Sequence, residues 1–393
     1  MTRPQLILAP GKEKAIERRH PWIFSGAVDQ TVGHPHEGDT VDVVSSRGNW
    51  LAAGHYQHQS IACKVLSFET PDIDSDIFLE KRLRSAIEYR EHMGFFHMDD
   101  TNVFRLVHAE GDNMPGLVCD WYNGVLVMQA HSVGMYRLFP TLSRLFAAML
   151  AQYGLQAIFN KSSSTLPNSI EDGYLWGDEG TEKEVKEHGC RILVNLFEGQ
   201  KTGFFIDQRE NRSLVKTLAK GHHVLNCFGY TGGFSLAALA GDATMVETVD
   251  ISKRAIDMCN RNVNINFGTA APHVGVVADV VRHLDATDHR FDFIILDPPA
   301  FAKNHRSLQQ GLRGYRSINQ RAMEALPAGG LLMTFSCSQA VSADDFQTMI
   351  FTAAMNAGKR VRIVRRLTHA PDHPVSIHHP EGEYLKGLLL QIE

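Results

Sequence analysis

The chain has 393 residues, 44% of them hydrophobic and 21% charged, which is typical of a globular protein with two or three domains. Its net charge of −5 argues against a protein that coats nucleic acid over its whole surface, although a local basic face is compatible with it. No apolar run reaches the roughly 18 residues that span a bilayer and the first residues lack the layout of a secretory signal, so we expect a cytoplasmic protein without membrane contact.

The N-terminal region has the pattern of short strands. Residues 40–44 and 50–54 alternate with a period of two between turn-forming residues, and Trp22-Ile23-Phe24 adds an aromatic anchor. We therefore predict a small β-barrel over residues 1–70.

The next region predicts a small central α+β domain over residues 71–185. Helical patterns cover residues 76–93 and 135–152, and strand patterns occur at 104–108, 116–120, 125–129 and 157–159. The charged, glycine-bearing segment 172–189 is typical of a loop or linker.

Strands alternate with helices from about residue 190 onward, which indicates a parallel α/β domain over residues 186–393. The strand patterns lie at Val224–Cys227, Met245–Val249, Val274–Val277, Phe291–Leu296, Leu331–Phe335, Val361–Arg366 and Leu385–Gln391. We predict a multidomain α/β protein whose C-terminal domain has a mostly parallel seven-stranded sheet.

A glycine-rich turn follows the first of these strands. The run Gly229-Tyr230-Thr231-Gly232-Gly233 connects the strand to a helical pattern, so its backbone could approach a ligand at a helix N-terminus. The dinucleotide fingerprint G-x-G-x-x-G does not fit the run. A turn with a purely structural role is the alternative.

Two acids end the following strands and favour a ligand. Asp250 stands 21 positions after Gly229, where a carboxylate can accept hydrogen bonds from both ribose hydroxyls, and Asp279 could meet an adenine amine. Each acid alone could instead be a helix N-cap. Because the turn has no phosphate-binding side chain, a nucleoside without phosphates fits best, and S-adenosylmethionine is such a ligand.

Two further strand ends carry an acid and a thiol. Asp297-Pro298-Pro299 follows one strand, and Ser336-Cys337-Ser338 follows the next. Since ligands bind at the carboxyl ends of parallel strands, both should border the same pocket. The six cysteines show no metal-ligand spacing, so we expect no metal, and Cys337 is the one that lies just beyond a strand among small polar residues.

A basic window without any acid runs from Pro298 to Met323. It is interpreted either as a solvated helix face or as a phosphate-contacting loop beside the pocket. Phe301 or Tyr315 could stack on a base, although each is also suited to a core position. A second basic run, residues 359–366, predicts a solvated sheet edge.

The chain resembles the bacterial ribosomal RNA large-subunit cytosine-C5 methyltransferases of the RlmI type over nearly its whole length. The segments that carry the resemblance are 11–14, 18–27, 105–117, 201–209, the glycine turn, Asp297-Pro298-Pro299, Ser336-Cys337-Ser338 and 384–387. The resemblance implies a PUA-like RNA-binding barrel, a Rossmann-like class I methyltransferase domain, S-adenosylmethionine as cofactor, and 23S ribosomal RNA or a large-subunit assembly intermediate as partner. A homodimer is compatible with it.

The resemblance also implies which residues form the site. Cofactor contacts are expected at Phe205, Asp207, Gln208, Arg209, Asn226, Phe228, Gly229, Tyr230, Thr231, Gly232, Gly233, Asp250, Ile251, Asp279, Asp297 and Pro298. Contacts with substrate RNA are expected at Lys303, Arg306, Arg313, Tyr315 and Arg316.

By the same resemblance, Cys337 is the nucleophile that attacks carbon 6 of a cytosine, and basic residues of the window could lower the pKa of its thiol. Asp297 either contacts the cytosine, by hydrogen bonding or as proton acceptor, or orients the proline turn. Methylation of a guanine amine, methylation of uracil at carbon 5, and a non-catalytic RNA-binding assembly factor are the alternatives.

Overall fold

The computed structural model describes residues 3–166, 170–287, 290–302 and 304–393. The chain forms two compact units. The first comprises Met1–Val185, Val194–Ile206 and Pro371–Gly382, and the second comprises Lys186–Leu193, Asp207–Ala370 and Glu383–Glu393. The bounds of the three predicted domains stay predictions. The structure adds that Val194–Ile206 and Pro371–Gly382 belong to the first unit.

The first unit begins with a six-stranded sheet in the order β2-β6-β5-β4-β1-β3. Its strands are β1 (Gln5–Leu8), β2 (Trp22–Phe24), β3 (Val28–Val32), β4 (Thr40–Val44), β5 (Trp50–Tyr56) and β6 (Ile61–Ser67), and the short helix α1 spans Lys14–Glu17. The period-two pattern of β4 places Val41 and Val43 in the core with Leu6 and Leu8.

A second sheet of the first unit has five strands in the order β11-β10-β9-β8-β7. The helices are α2 (Asp76–His92), α3 (Val133–Arg137) and α4 (Phe139–Leu150), and the strands are β7 (Val103–His108), β8 (Leu117–Tyr122), β9 (Val125–Ala130), β10 (Ala157–Asn160) and β11 (Gly173–Trp176). The predicted helix over residues 135–152 is interrupted at Leu138. Ser75 caps α2 by accepting from the Phe78 N–H.

The segment Pro371–Gly382 of the first unit packs against this region of the unit through buried polar contacts. The Asp372 carboxylate accepts from the Arg105 N–H at 2.8 Å, and the Asp372 carbonyl accepts from Arg90 at 2.7 Å. Both arginines are buried, so these bonds satisfy groups that would otherwise be costly to desolvate.

Two paired strands, β12 (Glu182–Glu187) and β13 (Cys190–Asn195), precede the large sheet of the second unit. The helices of that unit are α5 (Arg209–Leu218), α6 (Gly233–Ala240), α7 (Lys253–Phe267), α8 (Val280–Asp285), α9 (Leu308–Ala325) and α10 (Ala343–Asn356). Short 3-10 helices of the chain lie at Ser25–Ala27, Phe95–His97, Ala109–Asp112, Ala151–Tyr153, Ile206–Gln208, His305–Ser307 and Pro380–Gly382.

The large sheet has seven strands in the order β16-β15-β14-β17-β18-β20-β19. They are β14 (His223–Cys227), β15 (Met245–Asp250), β16 (His273–Val277), β17 (Phe293–Leu296), β18 (Leu331–Ser336), β19 (Val361–Leu367) and β20 (Lys386–Ile392). All pairs are parallel except those of β20. The predicted sheet is confirmed, and its strand order reverses at β14 and β17, where α/β sheets bind ligands.

Among the described residues, no helix is both long and apolar enough to cross a membrane.

Candidate active site

The glycine turn between β14 and α6 depends on two missing side chains. A Cβ at Gly229 would lie 2.3 Å from a methyl of Thr248, and one at Gly232 would lie 2.4 Å from the Cys259 sulfur. Gly232 also has φ +89°, and Phe228 and Tyr230 have φ of 57° and 46°, which side chains disfavour. Such backbone conformations are common at ligand sites, which is compatible with the predicted cofactor turn.

Asp250 at the end of β15 closes the turn. Its carboxylate accepts from the Tyr230 N–H at 3.0 Å and from the Ser252 N–H at 2.9 Å. The side chain therefore has a fixed orientation at the carboxyl edge of the sheet, beside the N-terminus of α6.

Asp279 and Ile251 follow the neighbouring strand ends on the surface. Asp279 caps α8 by accepting from the Arg282 N–H at 3.0 Å, which is the N-cap role that its position allowed. It is exposed, as is Ile251, whose exposed fraction is 75%.

Asn226, a predicted cofactor contact, is buried behind the glycine turn. Its side-chain amide donates to Ser235 at 2.8 Å, and the residue has 0% exposure. Ser235 in turn lies 2.6 Å from the Thr248 hydroxyl. The Asn226 amide thus supports the turn through Ser235, and its predicted contact with the cofactor stays a prediction.

The segment Asp207–Arg209 is also interior, with exposed fractions of 4%, 2% and 1%. The Tyr384 hydroxyl donates to Asp207 at 2.6 Å, and the Gln208 amide donates to the Asp297 carboxylate at 3.0 Å. Asp207 thus restrains Tyr384, and Gln208 restrains Asp297. Phe205 belongs to the first unit, where Lys201 lies 4.4 Å from its ring centre.

The predicted acid and thiol lie at neighbouring strand ends. β17 pairs in parallel with β18, so Asp297 and Cys337 both follow the same edge of the sheet. The Cys337 thiol donates weakly to the Pro298 carbonyl, at 3.8 Å. The proximity of these residues, expected from the sequence, is thus present in the structure.

Cys337 differs from the other cysteines in its accessibility. All six lie in the described ranges and none forms a disulfide, but five are buried and Cys337 is half-buried. Burial raises the pKa of the Cys259 thiol to about 12 and also raises the pKa of Cys190. A reactive thiolate is therefore best placed at Cys337.

Ser338 holds the loop that carries Cys337. Its hydroxyl lies 2.8 Å from the Tyr315 hydroxyl and accepts from the Ala302 N–H at 3.1 Å. Its carbonyl accepts from the Lys386 ammonium at 2.8 Å. The loops after β17 and β18 are thereby joined to each other, to α9 and to β20.

Tyr315 corrects the predicted set of RNA contacts. It has 0% exposure, and burial raises the pKa of its hydroxyl. It packs at 4.7 Å from the Phe301 ring and cannot present a face to a base, because its ring belongs to the core of the second unit.

The residues of the basic window differ in their exposure and in their contacts. Arg306 and Arg313 are exposed, Arg316 is half-buried, and Arg321 binds Asp285 at 2.6 Å. Lys303 lies outside the described residues. The second basic run forms β19, the edge strand of the sheet, as predicted.

Among the described residues of the first unit, one group of side chains could hold a metal ion. Atoms of His20, His379 and Glu381 lie within 4.8 Å of one another. Glu381 is 3.3 Å from His20 and 3.0 Å from His379, and burial lowers the pKa of His379. His20 is remote in sequence from His379 and Glu381, so sequence spacing could not reveal this group.

Comparison with known proteins decides the family. A model described as S-adenosylmethionine-dependent methyltransferase matches residues 104–390, and a PUA-like domain model matches residues 6–68. The ribosomal RNA large subunit methyltransferase I of Pseudoalteromonas atlantica is 39% identical over 396 residues, covering 99% of each chain. The protein of that name from Escherichia coli is 36% identical over 398 residues, with the same coverage. The chain belongs to this family.

Solved structures agree with the family's fold. A methyltransferase from Streptococcus mutans has a TM-score of 0.85 at 21% identity, covering 98% of this chain and 99% of its own. A methyltransferase in complex with S-adenosylhomocysteine has a TM-score of 0.86 at 22% identity, with the same coverage. At these identities the likeness concerns the fold, which confirms the PUA-like domain and the Rossmann-like domain.

The residues of this family member fit its cofactor, S-adenosylmethionine. Without a Cβ at Gly229 and Gly232, the turn packs closely against Thr248 and Cys259, and the α6 N-terminus supplies N–H donors at the carboxyl edge of the sheet. Asp250 and the half-buried Tyr230 and Thr231 border this edge. The predicted cofactor is therefore confirmed for the family, while the role of each residue stays a prediction.

Lys386 is the functional candidate that sequence reasoning missed. The resemblance included the segment 384–387 but suggested no role for this lysine. The only available signal was a charged residue at the start of a strand that is otherwise apolar, and such a residue needs a buried partner.

Proposed function

We propose that this methyltransferase transfers a methyl group to carbon 5 of a cytosine in 23S ribosomal RNA through a covalent bond to Cys337. The observation that carries the proposal is the half-buried thiol at the end of β18, beside the loop of Asp297 and Pro298. A methyl transfer to an amine needs no such thiol. The relatives' name, ribosomal RNA large subunit methyltransferase I, supports RNA of the large subunit as the substrate.

The role of Cys337 follows from the electron demand of the ring. Its thiolate adds to carbon 6, and the electron pair of the 5,6 double bond moves to carbon 5. S-adenosylmethionine, when bound, would supply the electrophilic methyl group for that electron pair and would leave as S-adenosylhomocysteine when its sulfur–methyl bond breaks. A base then removes the carbon 5 proton, the double bond returns, and the sulfur leaves as thiolate.

Asp297 is the proposed contact for the cytosine. Gln208 donates to one oxygen of the carboxylate at 3.0 Å and so fixes its direction. A carboxylate in this place can hydrogen-bond the ring or accept the carbon 5 proton, and the position beside Pro298 also serves the turn. The Gln208 contact supports either role, because it restrains the orientation of the carboxylate.

The RNA backbone is proposed to contact the basic window. Arg306 and Arg313 are exposed and Arg316 is half-buried, all on or next to α9. Lys303 is proposed from the sequence alone. Since each phosphate contact releases counterions, binding should weaken steeply with salt, and replacing Arg306 should reduce the slope by about one.

The test is transfer of a labelled methyl group to ribosomal RNA, followed by nucleoside analysis. We expect the label in 5-methylcytosine. Label in a methylated guanine, or in 5-methyluridine, would refute the proposed substrate. The target base must leave its stack before the thiol can reach it, so RNA containing the unpaired target should react faster than a duplex.

The covalent step has its own test. Cys337→Ala should abolish transfer while leaving binding of S-adenosylhomocysteine intact. RNA containing 5-fluorocytosine should trap wild-type enzyme as a stable adduct, because fluorine cannot leave as a proton does. Cys190→Ala, which changes a buried cysteine of the same unit, is the matched control and should keep both activities. Full transfer by Cys337→Ala would refute the covalent mechanism.

A further inference from the structure

The register of the sheet places a lysine opposite the loop of Cys337. β20 runs antiparallel to β18, and Lys386 pairs with Ser336, the residue before Cys337. The Lys386 ammonium donates to the carbonyl of Ser338, the residue after Cys337, at 2.8 Å. Lys386 is thus linked to both neighbours of Cys337, to Ser336 by strand pairing and to Ser338 by its ammonium.

The surroundings of this lysine are unusual for a cation. Lys386 is 9% exposed, and its side chain lies within the seven-stranded sheet of the second unit. An ammonium in such a place is costly unless an anion compensates for the lost water. A thiolate at Cys337 is an anion that the site itself can form.

We propose that Lys386 is a positioning residue that stabilises the thiolate of Cys337 and orients its loop through the Ser338 carbonyl. The inference rests on the proposed function of Cys337 as nucleophile. It stands beside the prediction that the basic window lowers the pKa of the thiol; of that window, Arg306 and Arg313 are exposed and Arg321 binds Asp285.

The titration of Lys386 is consistent with this role. Burial lowers the pKa of Lys386 to about 8, and negative charge at Cys337 and at Glu383 acts in the opposite direction. Tyr315 also faces the thiol, and negative charge at Cys337 raises the pKa of Tyr315 after the larger effect of burial. Lys386 is therefore protonated below about pH 8, and its effect on the thiol should be present there and fade above it.

Alkylation of Cys337 tests the proposal without any methyl transfer. The rate of reaction with iodoacetamide is followed from pH 5 to pH 10 by mass spectrometry of the peptide that contains Cys337, since the other five cysteines are buried. The inflection reports the pKa of this thiol. Lys386→Gln retains an N–H donor for the Ser338 carbonyl while removing the charge, so it separates electrostatics from loop geometry.

We expect Lys386→Gln and Lys386→Met to move the inflection upward by about one pH unit or more, and Lys386→Arg to restore most of the shift. The rate of methyl transfer at neutral pH should fall about tenfold for each unit, because the thiolate fraction falls by that factor. Lys359→Met is the matched control, since the Lys359 ammonium also donates to a carbonyl, that of Leu326 at 3.2 Å, and should leave the inflection unchanged.

The outcomes separate this inference from the proposed function. An unchanged inflection in Lys386→Gln, or an equal shift in Lys359→Met, would overturn the role of Lys386 even where Cys337→Ala abolishes methyl transfer. Full methyl transfer by Cys337→Ala would overturn the proposed function, whereas a charge-dependent shift of the thiol would still establish the contact with Lys386. A variant that fails to fold is recognised by fast alkylation of the buried Cys227, and the remaining variant then decides.

Discussion

Substituting Gly232 by alanine should destabilise the second unit at the glycine turn, through backbone strain and through a steric clash. The first part is the backbone, because φ is +89° at this residue and an L side chain in the left-handed region costs about 1–2 kcal/mol. The second part is space, since the new Cβ would lie 2.4 Å from the Cys259 sulfur, and overpacking of this kind costs about 1–3 kcal/mol.

Gly221→Ala isolates the backbone part. Gly221 has φ +78° in the same unit, and a Cβ there meets nothing within 4 Å. We expect it to cost about 1 kcal/mol, because the smaller entropy of the unfolded chain offsets some of the strain. Gly232→Ala should cost about 2–5 kcal/mol.

A second substitution isolates the space. In Gly232→Ala/Cys259→Ala the nearest remaining atoms are Cβ and Cα of residue 259, at 3.2 and 3.5 Å from the new Cβ. The double variant should therefore be more stable than the sum of the single changes by about 1–3 kcal/mol.

The assay must report on the second unit. All four tryptophans, Trp22, Trp50, Trp121 and Trp176, lie in the first unit, so their fluorescence serves as an internal control and should not change. Thiol exchange at Cys227, which has 0% exposure, gives the free energy of opening of the second unit. Titration calorimetry with S-adenosylhomocysteine should show weaker binding by Gly232→Ala than by Gly221→Ala. Equal destabilisation by both glycine variants, or an additive double variant, would refute the reasoning.

Two further changes test buried charge. Glu187→Gln should destabilise the second unit by about 3–5 kcal/mol, because it leaves the charge of Arg212 buried without its partner. Arg212 donates to the Glu187 carboxylate at 2.5 and 2.7 Å, and both side chains are 4% exposed. Adding Arg212→Met to the same chain should recover most of the lost stability, as measured by thiol exchange at Cys227. Burial lowers the pKa of His273 from 6.5 to about 4, so the unfolded chain takes up a proton first and stability should fall as the pH drops from about 6.5 towards 4. In His273→Gln, the free energy of unfolding from urea denaturation should change less between pH 6.5 and about pH 4 than in the wild type. The same pH dependence in both proteins would contradict this reasoning.

Local pattern was sufficient for much of the second unit. A buried parallel strand is a continuous apolar run, and six of the seven predicted runs begin and end within one residue of the observed strands, while the observed β17 begins two residues after the predicted start. Because parallel strands present their carboxyl ends at one edge, the positions of Asp297 and Cys337 in the chain were enough to expect them side by side.

Burial of individual side chains could not be predicted in the same way. Tyr315 follows a basic stretch, which suggested an RNA contact, but its place on α9 turns it into the core. Asn226 and Gln208 were predicted to contact the cofactor, and the structure adds partners in Ser235 and Asp297 that the sequence did not suggest. A motif identifies which residues a site needs, whereas only packing decides which of them reach the surface.

The sequence by itself predicted the strand ends, the glycine turn and the place of Cys337 just beyond a strand, because these depend on periodicity and on residues adjacent in the chain. Only the tertiary structure decided what faces the thiol. Lys386 reaches Ser338 because β20 inserts antiparallel between β18 and β19, and the segment Pro371–Gly382 joins the first unit. Pairings between such distant segments depend on which buried surfaces fit together, and a local pattern carries no record of that choice.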